Sequence, residues 1–250
     1  MADSNAKDYR PEPKPTSFRS TLVSYLTPIA QGSAPFISTF LMIHLAAPMV
    51  ANLGGSSLSS QVMLLGREYY QTSFGERYLV ILPICAHAVS ATLKRIISPR
   101  PVRSKTSILS MTGYAIMTFY LPVHYFLHRL APSSPAPPIN ALSPSELDYE
   151  FVKTALREWP VRNWVGYVGL TLAVALHASE GAHLMLRNLM TGMKKQWKGW
   201  SRKTHRTVAL LGVLPVLTGL VVIAREPVMA FAMNVERHKT VFLQSPLYKY

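Results

Sequence analysis

Five stretches of this chain are apolar enough to stand apart from the polar, turn-rich connections between them. They cover about 34–53 ("APFISTFLMIHLAAPMVANL"), 78–93 ("YLVILPICAHAVSATL"), 106–128 ("TSILSMTGYAIMTFYLPVHYFLH"), 163–186 ("NWVGYVGLTLAVALHASEGAHLML") and 207–224 ("TVALLGVLPVLTGLVVIA"). A helix that spans a bilayer needs roughly 17–25 residues, so four runs suffice as they stand and the second must draw on its flanks. The pattern predicts an all-α polytopic membrane protein, a five-helix transmembrane bundle over residues 31–226, with tails at 1–30 and 227–250. A soluble domain of buried helices is the alternative, but five such runs leave too little polar surface to solvate it.

The connections carry their own signals. "GGSSLSSQ" leads into "LLGREYYQTSFGERY", which reads as an interfacial helix bearing Tyr69 and Tyr70. "APSSPAPPINALSPSELDYEF" is proline-rich and then acidic, a loop followed by a short helix. "KKQWKGWSRKTHR" is basic with two tryptophans, a composition suited to a lipid headgroup layer.

Charge refines the picture by its placement more than by its total. A net charge of +14 invites a nucleic-acid reading, yet no nucleic-acid-binding motif is present and the basic residues flank the apolar runs. With five spans, the N-terminus and the connections after the second and fourth runs share one side, which holds 16 Lys/Arg and 3 acids; the other holds 10 and 8. The positive-inside rule then places the N-terminus in the cytosol and the C-terminus across the membrane. The polar segment "MADSNAKDYRPEPKPTSF" has neither the apolar core of a secretory signal nor the acid-poor composition of a transit helix, so insertion through internal segments is expected. Cys85 is the one cysteine, which leaves no disulfide framework or cysteine zinc site.

Four of the five runs carry a histidine well inside them: His44, His87, His124 and His177. Small residues share the histidine's face after His44 (Ala47), His87 (Ser90, Ala91) and His177 (Gly181), whereas His124 is followed there by Leu127 and His128. Two neutral imidazoles on facing helices can ligate a haem iron, so the four histidines are candidate haem b ligands. Counting residues from the run ends pairs His44 with His177 at one depth, and His87 with His124 as a second pair. The alternative is interhelical hydrogen bonding, worth about 0.6–2 kcal/mol for each contact. Glu180 is the costlier residue, since a charge at mid-membrane costs at least about 2.5–3.5 kcal/mol. It can stay protonated, bond an imidazole on a neighbouring helix, or line a wet pocket. His183 lies nearer the cytosolic end, where headgroups can meet it. No Ser-His-Asp order, phosphate-binding loop or catalytic carboxylate pair can be assembled, so an enzyme is not expected.

The runs also form an approximate internal repeat. "FISTFLMIHLAAP" is echoed by "YAIMTFYLPVHYFLHRLAP", and "YLVILPICAHAVSATLKR" by "YVGLTLAVALHASEGAHLMLR". Together with "REYYQ" (67–71), "HAVSA" from His87, "TGYAIMTFYLPVH", "RLAP" (129–132), "ELDYEFVK" (146–153) and "HASEG" from His177, the order and spacing resemble one family over about residues 30–225. It is the fungal mitochondrial outer-membrane adaptor family of Mdm-ten-complementing proteins, whose membrane region is similar to the cytochrome b anchors of succinate dehydrogenase and fumarate reductase.

The resemblance implies a multi-pass protein of the mitochondrial outer membrane, acting in lipid homeostasis at membrane contact sites. It implies an adaptor that recruits a chorein-domain, bridge-like lipid-transfer protein through a cytosolic Pro-x-Pro motif. Pro11, Pro13 and Pro15 in "RPEPKP" supply such a motif here, flanked by the charged Arg10, Glu12 and Lys14. Alternating prolines favour an extended polyproline II segment, which serves equally as a docking strip or a stiff linker. Two other classes of function stay open: a haem b electron carrier using the paired histidines, and a bundle that binds or scrambles membrane lipids along a groove lined by Glu180 and the histidines.

Overall fold

The computed structural model describes residues 18–98, 107–193 and 199–249, and all regular structure among them is helical. The first helix, α1 (Phe18–Tyr70), consists of two arms divided by non-helical backbone at Gly54 and Gly55. The second arm folds back along the first, and a Cβ on Gly66 would lie 3.1 Å from Ile43 Cγ2. Helix α2 (Gly75–Ile97) continues the return, with His87 reaching the Ala30 carbonyl at 2.8 Å. Helix α3 occupies 108–130, a short α4 (Tyr149–Glu158) follows the proline-rich loop, and α5 (Pro160–Gly192), α6 (Arg202–Arg225) and α7 (Ala232–Leu243) complete the chain.

Among the described residues, three segments are long and apolar enough to cross a membrane: Phe18–Tyr70, Gly75–Ile97 and Lys203–Arg225. Their flanks are apolar and exposed, as at Met42, Leu53, Ile96 and Leu211. In water such a surface would drive association, whereas lipid tails solvate it without cost. The runs at 106–128 and 163–186 fall on α3 and α5, where His124, Glu180 and several tyrosines dilute the apolar character.

Prolines account for the local winding. Gly75–Ile81 of α2 and Ile116–Tyr120 of α3 are wound as π-helix, and each lies just before a proline, Pro83 and Pro122. A proline ring inside a helix clashes with the carbonyl four residues earlier, and a wider turn relieves the clash. In α1, Thr27 and Thr39 satisfy their own hydroxyls by donating back to the carbonyls of Val23 and Pro35, one turn earlier.

Both expected tails differ from the sequence reading. Residues 18–30 already belong to α1, because Pro28 and Pro35 sit within the helix and do not end it. Residues 227–249 do not trail away either. Helix α7 and the 3-10 turn Pro246–Tyr248 enter the most deeply buried cluster, where Val241 and Phe242 meet Phe151, Ala155, Leu127 and Ile139. That cluster is a cap built from α4, α7, the end of α3 and the proline-rich loop. Its apolar segments are too short to register as spans.

Two glycines set how closely the arms approach. At Gly219 of α6 a Cβ would overlap the Pro48 carbonyl, so the two backbones are in contact there. Gly55 has φ 62° and ψ −160°, a region open essentially to glycine alone, and a Cβ there would overlap Glu226 Oε1. Gly55→Ala is expected to cost at least about 1–3 kcal/mol from backbone strain alone. Thermal unfolding in detergent should show a clearly lowered midpoint, with Gly212→Ala, where a Cβ would meet nothing within 4 Å, as the control.

Candidate functional site

The four histidines of the apolar runs meet in two layers. In the near layer, closer to the start of α1, His87 of α2 and His177 of α5 have ring centroids 6.1 Å apart, at 81°. His87 Nδ1 lies 2.8 Å from the Ala30 carbonyl and 3.3 Å from Ser33 Oγ. His177 Nδ1 lies 3.1 Å from the Leu109 carbonyl and 3.4 Å from Thr112 Oγ1. Each Nδ1 therefore donates to a carbonyl on another helix, and each Nε2 is left as the acceptor. Small residues make the approach possible, since a Cβ on Gly113 would sit 3.0 Å from His177 Cε1.

In the far layer His44 of α1 faces His124 of α3, with centroids 5.9 Å apart at 82°. Phe40 stacks on His44 at 5.3 Å and Tyr70 meets its edge at 5.8 Å. His128 stacks on His124 at 4.5 Å, and the Tyr167 hydroxyl lies 3.3 Å from His128 Nε2. His44 Nδ1 is buried without a hydrogen-bond partner. Fourteen residues of α1 separate Ala30 from His44, which sets the layers about 21 Å apart along that axis.

These pairs are not the ones that residue counting gave. The count assumed that the first span starts near residue 34, whereas α1 starts at Phe18 and carries His44 towards its far end. His44 consequently partners His124, and His177 partners His87.

The layers differ in their fitness for a haem iron. A centroid spacing near 6 Å is roughly that of two metal–nitrogen bonds of about 2.0–2.1 Å with the ring radii added. Histidine ligands commonly fix their tautomer by donating the other ring nitrogen to a carbonyl, as His87 and His177 do. The near layer fits on both counts. The far layer does not, because Phe40, Tyr70 and His128 already pack against its rings. Among the described residues no group of three or more His, Cys, Asp or Glu is placed to hold a metal ion.

Glu180 finds an imidazole on a neighbouring helix. Its Oε1 lies 3.9 Å from Nδ1 of His205 on α6, and His205 packs against the ring of His183 at 4.0 Å. His183 thus meets a ring where headgroups were expected. His205 escaped the sequence reading because it precedes the fifth run, inside a basic stretch.

A second polar centre joins the cap to the bundle. Lys153, buried on α4, pairs with Glu150 and with Glu226 Oε2 at 3.6 Å, and donates to the Pro227 carbonyl at 2.9 Å. Glu226 in turn accepts from the Ser56 amide and hydroxyl, just after the Gly55 break. Burial pushes the Glu226 carboxyl up, but Ser56 and Lys153 together hold it below its ordinary range. Arg67 donates to the carbonyls of Pro144 and Leu147, the Tyr149 amide donates to Ser60 Oγ, and Arg129 makes a two-pronged pair with Glu76 at 2.7 Å. A helix-forming lysine among apolar residues gave no sequence signal of this role. Pro11, Pro13 and Pro15 lie outside the described residues.

No protein-family model matches this chain, and comparison with characterised proteins and with solved structures gives no match.

Lys153→Met would leave two carboxylates facing one another without their cation, at a cost of about 3 kcal/mol. Urea unfolding followed by the fluorescence of Trp159, which packs in the cap, should show that loss. Acid should act on the same region. The Glu146 carboxyl is held down to about 2 by hydrogen bonds from Arg237 and Ser143, below its usual 4.5. Its contribution is complete above pH 4.5 and is lost as the pH falls towards 2. Cap stability should decline across that window, and less steeply in Glu146→Gln.

Proposed function

We propose that this chain is a five-span adaptor of the mitochondrial outer membrane, acting in lipid homeostasis at membrane contact sites. Its helical bundle anchors it, and its N-terminal tail recruits a chorein-domain, bridge-like lipid-transfer protein. The observation that carries this reading is the convergence of the segments on which the family resemblance rests. Arg67 of "REYYQ" grips the carbonyls of Pro144 and Leu147, and Tyr149 of "ELDYEFVK" donates its amide to Ser60. Arg129 of "RLAP" pairs with Glu76. Residues far apart in sequence thus act on one another at one end of the bundle, as expected of a shared fold signature. The contacts of His44, His124 and Glu180 with rings and imidazoles of neighbouring helices suit an anchor held together internally. Deleting residues 9–16 should abolish recruitment of the lipid-transfer partner while leaving the tagged protein on mitochondria. Unchanged recruitment, or residence in another membrane, would overturn this reading.

A second reading, a haem b carrier, is favoured by one observation: the Nδ1 bonds of His87 and His177 to Ala30 and Leu109, which leave both Nε2 atoms as ligands. Those two residues would hold the iron, and the haem would supply one-electron chemistry. Absorption spectra of the purified protein, oxidised and dithionite-reduced after expression with ample haem, separate the readings. A strong Soret band with sharp reduced bands, lost in His87→Ala and kept in His44→Ala, would establish the carrier. A featureless spectrum leaves the adaptor.

A further inference from the structure

A groove of about 290 Å³ opens on the side of the molecule between α3 and α5, at the end of the bundle nearest the cap. This is near the lower end of the roughly 300–1,000 Å³ typical of small-molecule sites. One wall is Phe119, Val123 and Leu127 of α3, and the other is Val161, Val165 and Gly166 of α5. Leu247 and Tyr248 close it towards the cap, where the Tyr248 hydroxyl donates to Asn163 Oδ1 at 3.0 Å. Towards the near layer, Tyr120 closes it by lying against Gly169 so tightly that a Cβ there would overlap its hydroxyl. Between these two seals the groove stays open because Gly166 offers no side chain, and a Cβ there would meet nothing within 4 Å.

Its rim carries the exposed side chain of Arg162, which makes no hydrogen bond or ion pair with any of the described residues. Trp164 lies two positions beyond this arginine in sequence. Tryptophans prefer the level of the headgroups, and an arginine there meets phosphate. Beside it, Phe119, Val161, Val165 and Leu247 present exposed apolar surface along the mouth. A slot that is mainly apolar, lined also by His124, His128, Asn163 and Tyr167, open to the side and edged by a guanidinium, matches an amphiphile with an anionic head.

We propose that the groove binds one phospholipid of the surrounding membrane, with an acyl chain between α3 and α5 and its phosphate against Arg162. The site rests on the reading of α3 and α5 as membrane spans. A phosphodiester accepts the two parallel N–H bonds of a guanidinium, and the groove gives a single chain a bed distinct from the bulk bilayer. Gly166 sets the width of the slot and Arg162 selects the head. The C-terminal residues Leu247 and Tyr248 serve as its stop.

The test is photocrosslinking of the full chain, in vesicles of phosphatidylcholine and phosphatidylinositol, by a phospholipid carrying a diazirine near the end of one acyl chain. Crosslinks should concentrate on 119–127 and 161–167. Gly166→Leu, which fills the slot, should abolish that concentration. Arg162→Glu should weaken it about tenfold, the loss of one charge-assisted contact, and Arg162→Lys should restore most of it. Melting curves of each variant verify that the fold is kept. Crosslinks spread evenly over the apolar faces of α1, α2 and α6, and unchanged by the variants, would overturn the lipid site while leaving the membrane reading intact. Crosslinks on α1, α2 and α6 with none on α3 or α5 would remove both the site and the five-span arrangement.

Discussion

A polar group between packed apolar helices has no water to turn to, and much of the helix pairing here meets that constraint with bonds from one helix to another. The Nδ1 atoms of His87 and His177 bond to carbonyls on other helices, at Ala30 and Leu109. Each such bond ties two helices together at one height. Glu180 meets the same constraint through His205, and Asn52 through the carbonyl of Pro215, at 2.8 Å. Where lipid removes the hydrophobic drive between helices, these pairings and the close contact at Gly219 decide which faces meet.

The cap is built by different physics. Its centre is a packed apolar cluster with Ala155, Val241 and Phe242 fully buried, as in a water-soluble domain. Its attachment to the bundle adds polar ties, the Lys153–Glu226 pair and the Arg67 bonds to the Pro144 and Leu147 carbonyls, to the packing of Tyr149 on Ala47, Ala51 and Ile223. The Gly54–Gly55 break is the junction between the two regimes, because it turns α1 back and presents Ser56 to Glu226. One backbone irregularity therefore determines both where the first long arm ends and where the cap is secured.

Much of the helical architecture was legible because apolar runs are long signals. The runs at 78–93, 163–186 and 207–224 fall within α2, α5 and α6 to within a few residues at most ends. The first run was read too short because residues 18–33 are interspersed with polar residues such as Arg19, Ser24, Gln31 and Ser33, yet they continue the same helix. That error carried over to the histidines, since depth counted from a wrong start pairs the wrong rings. The cap was the least legible part. Val241 and Phe242 are two apolar neighbours in a short polar helix, and only tertiary contact makes them a core. Lys153 was equally silent, as its role depends on Glu226, which lies in a different element.

The first arm of α1 has a mechanical consequence. From Phe18 to the break it runs for some 36 residues, about 54 Å of helix, against a hydrocarbon layer of about 30 Å. Even steeply tilted, such a rod must emerge from the membrane. Its emerging part is stiffened by being continuous with the segment packed against α2 and α6, so it cannot swing independently of the bundle. Phe18 is therefore the tip of a rigid mast, its position fixed relative to the helices packed against the rest of the arm.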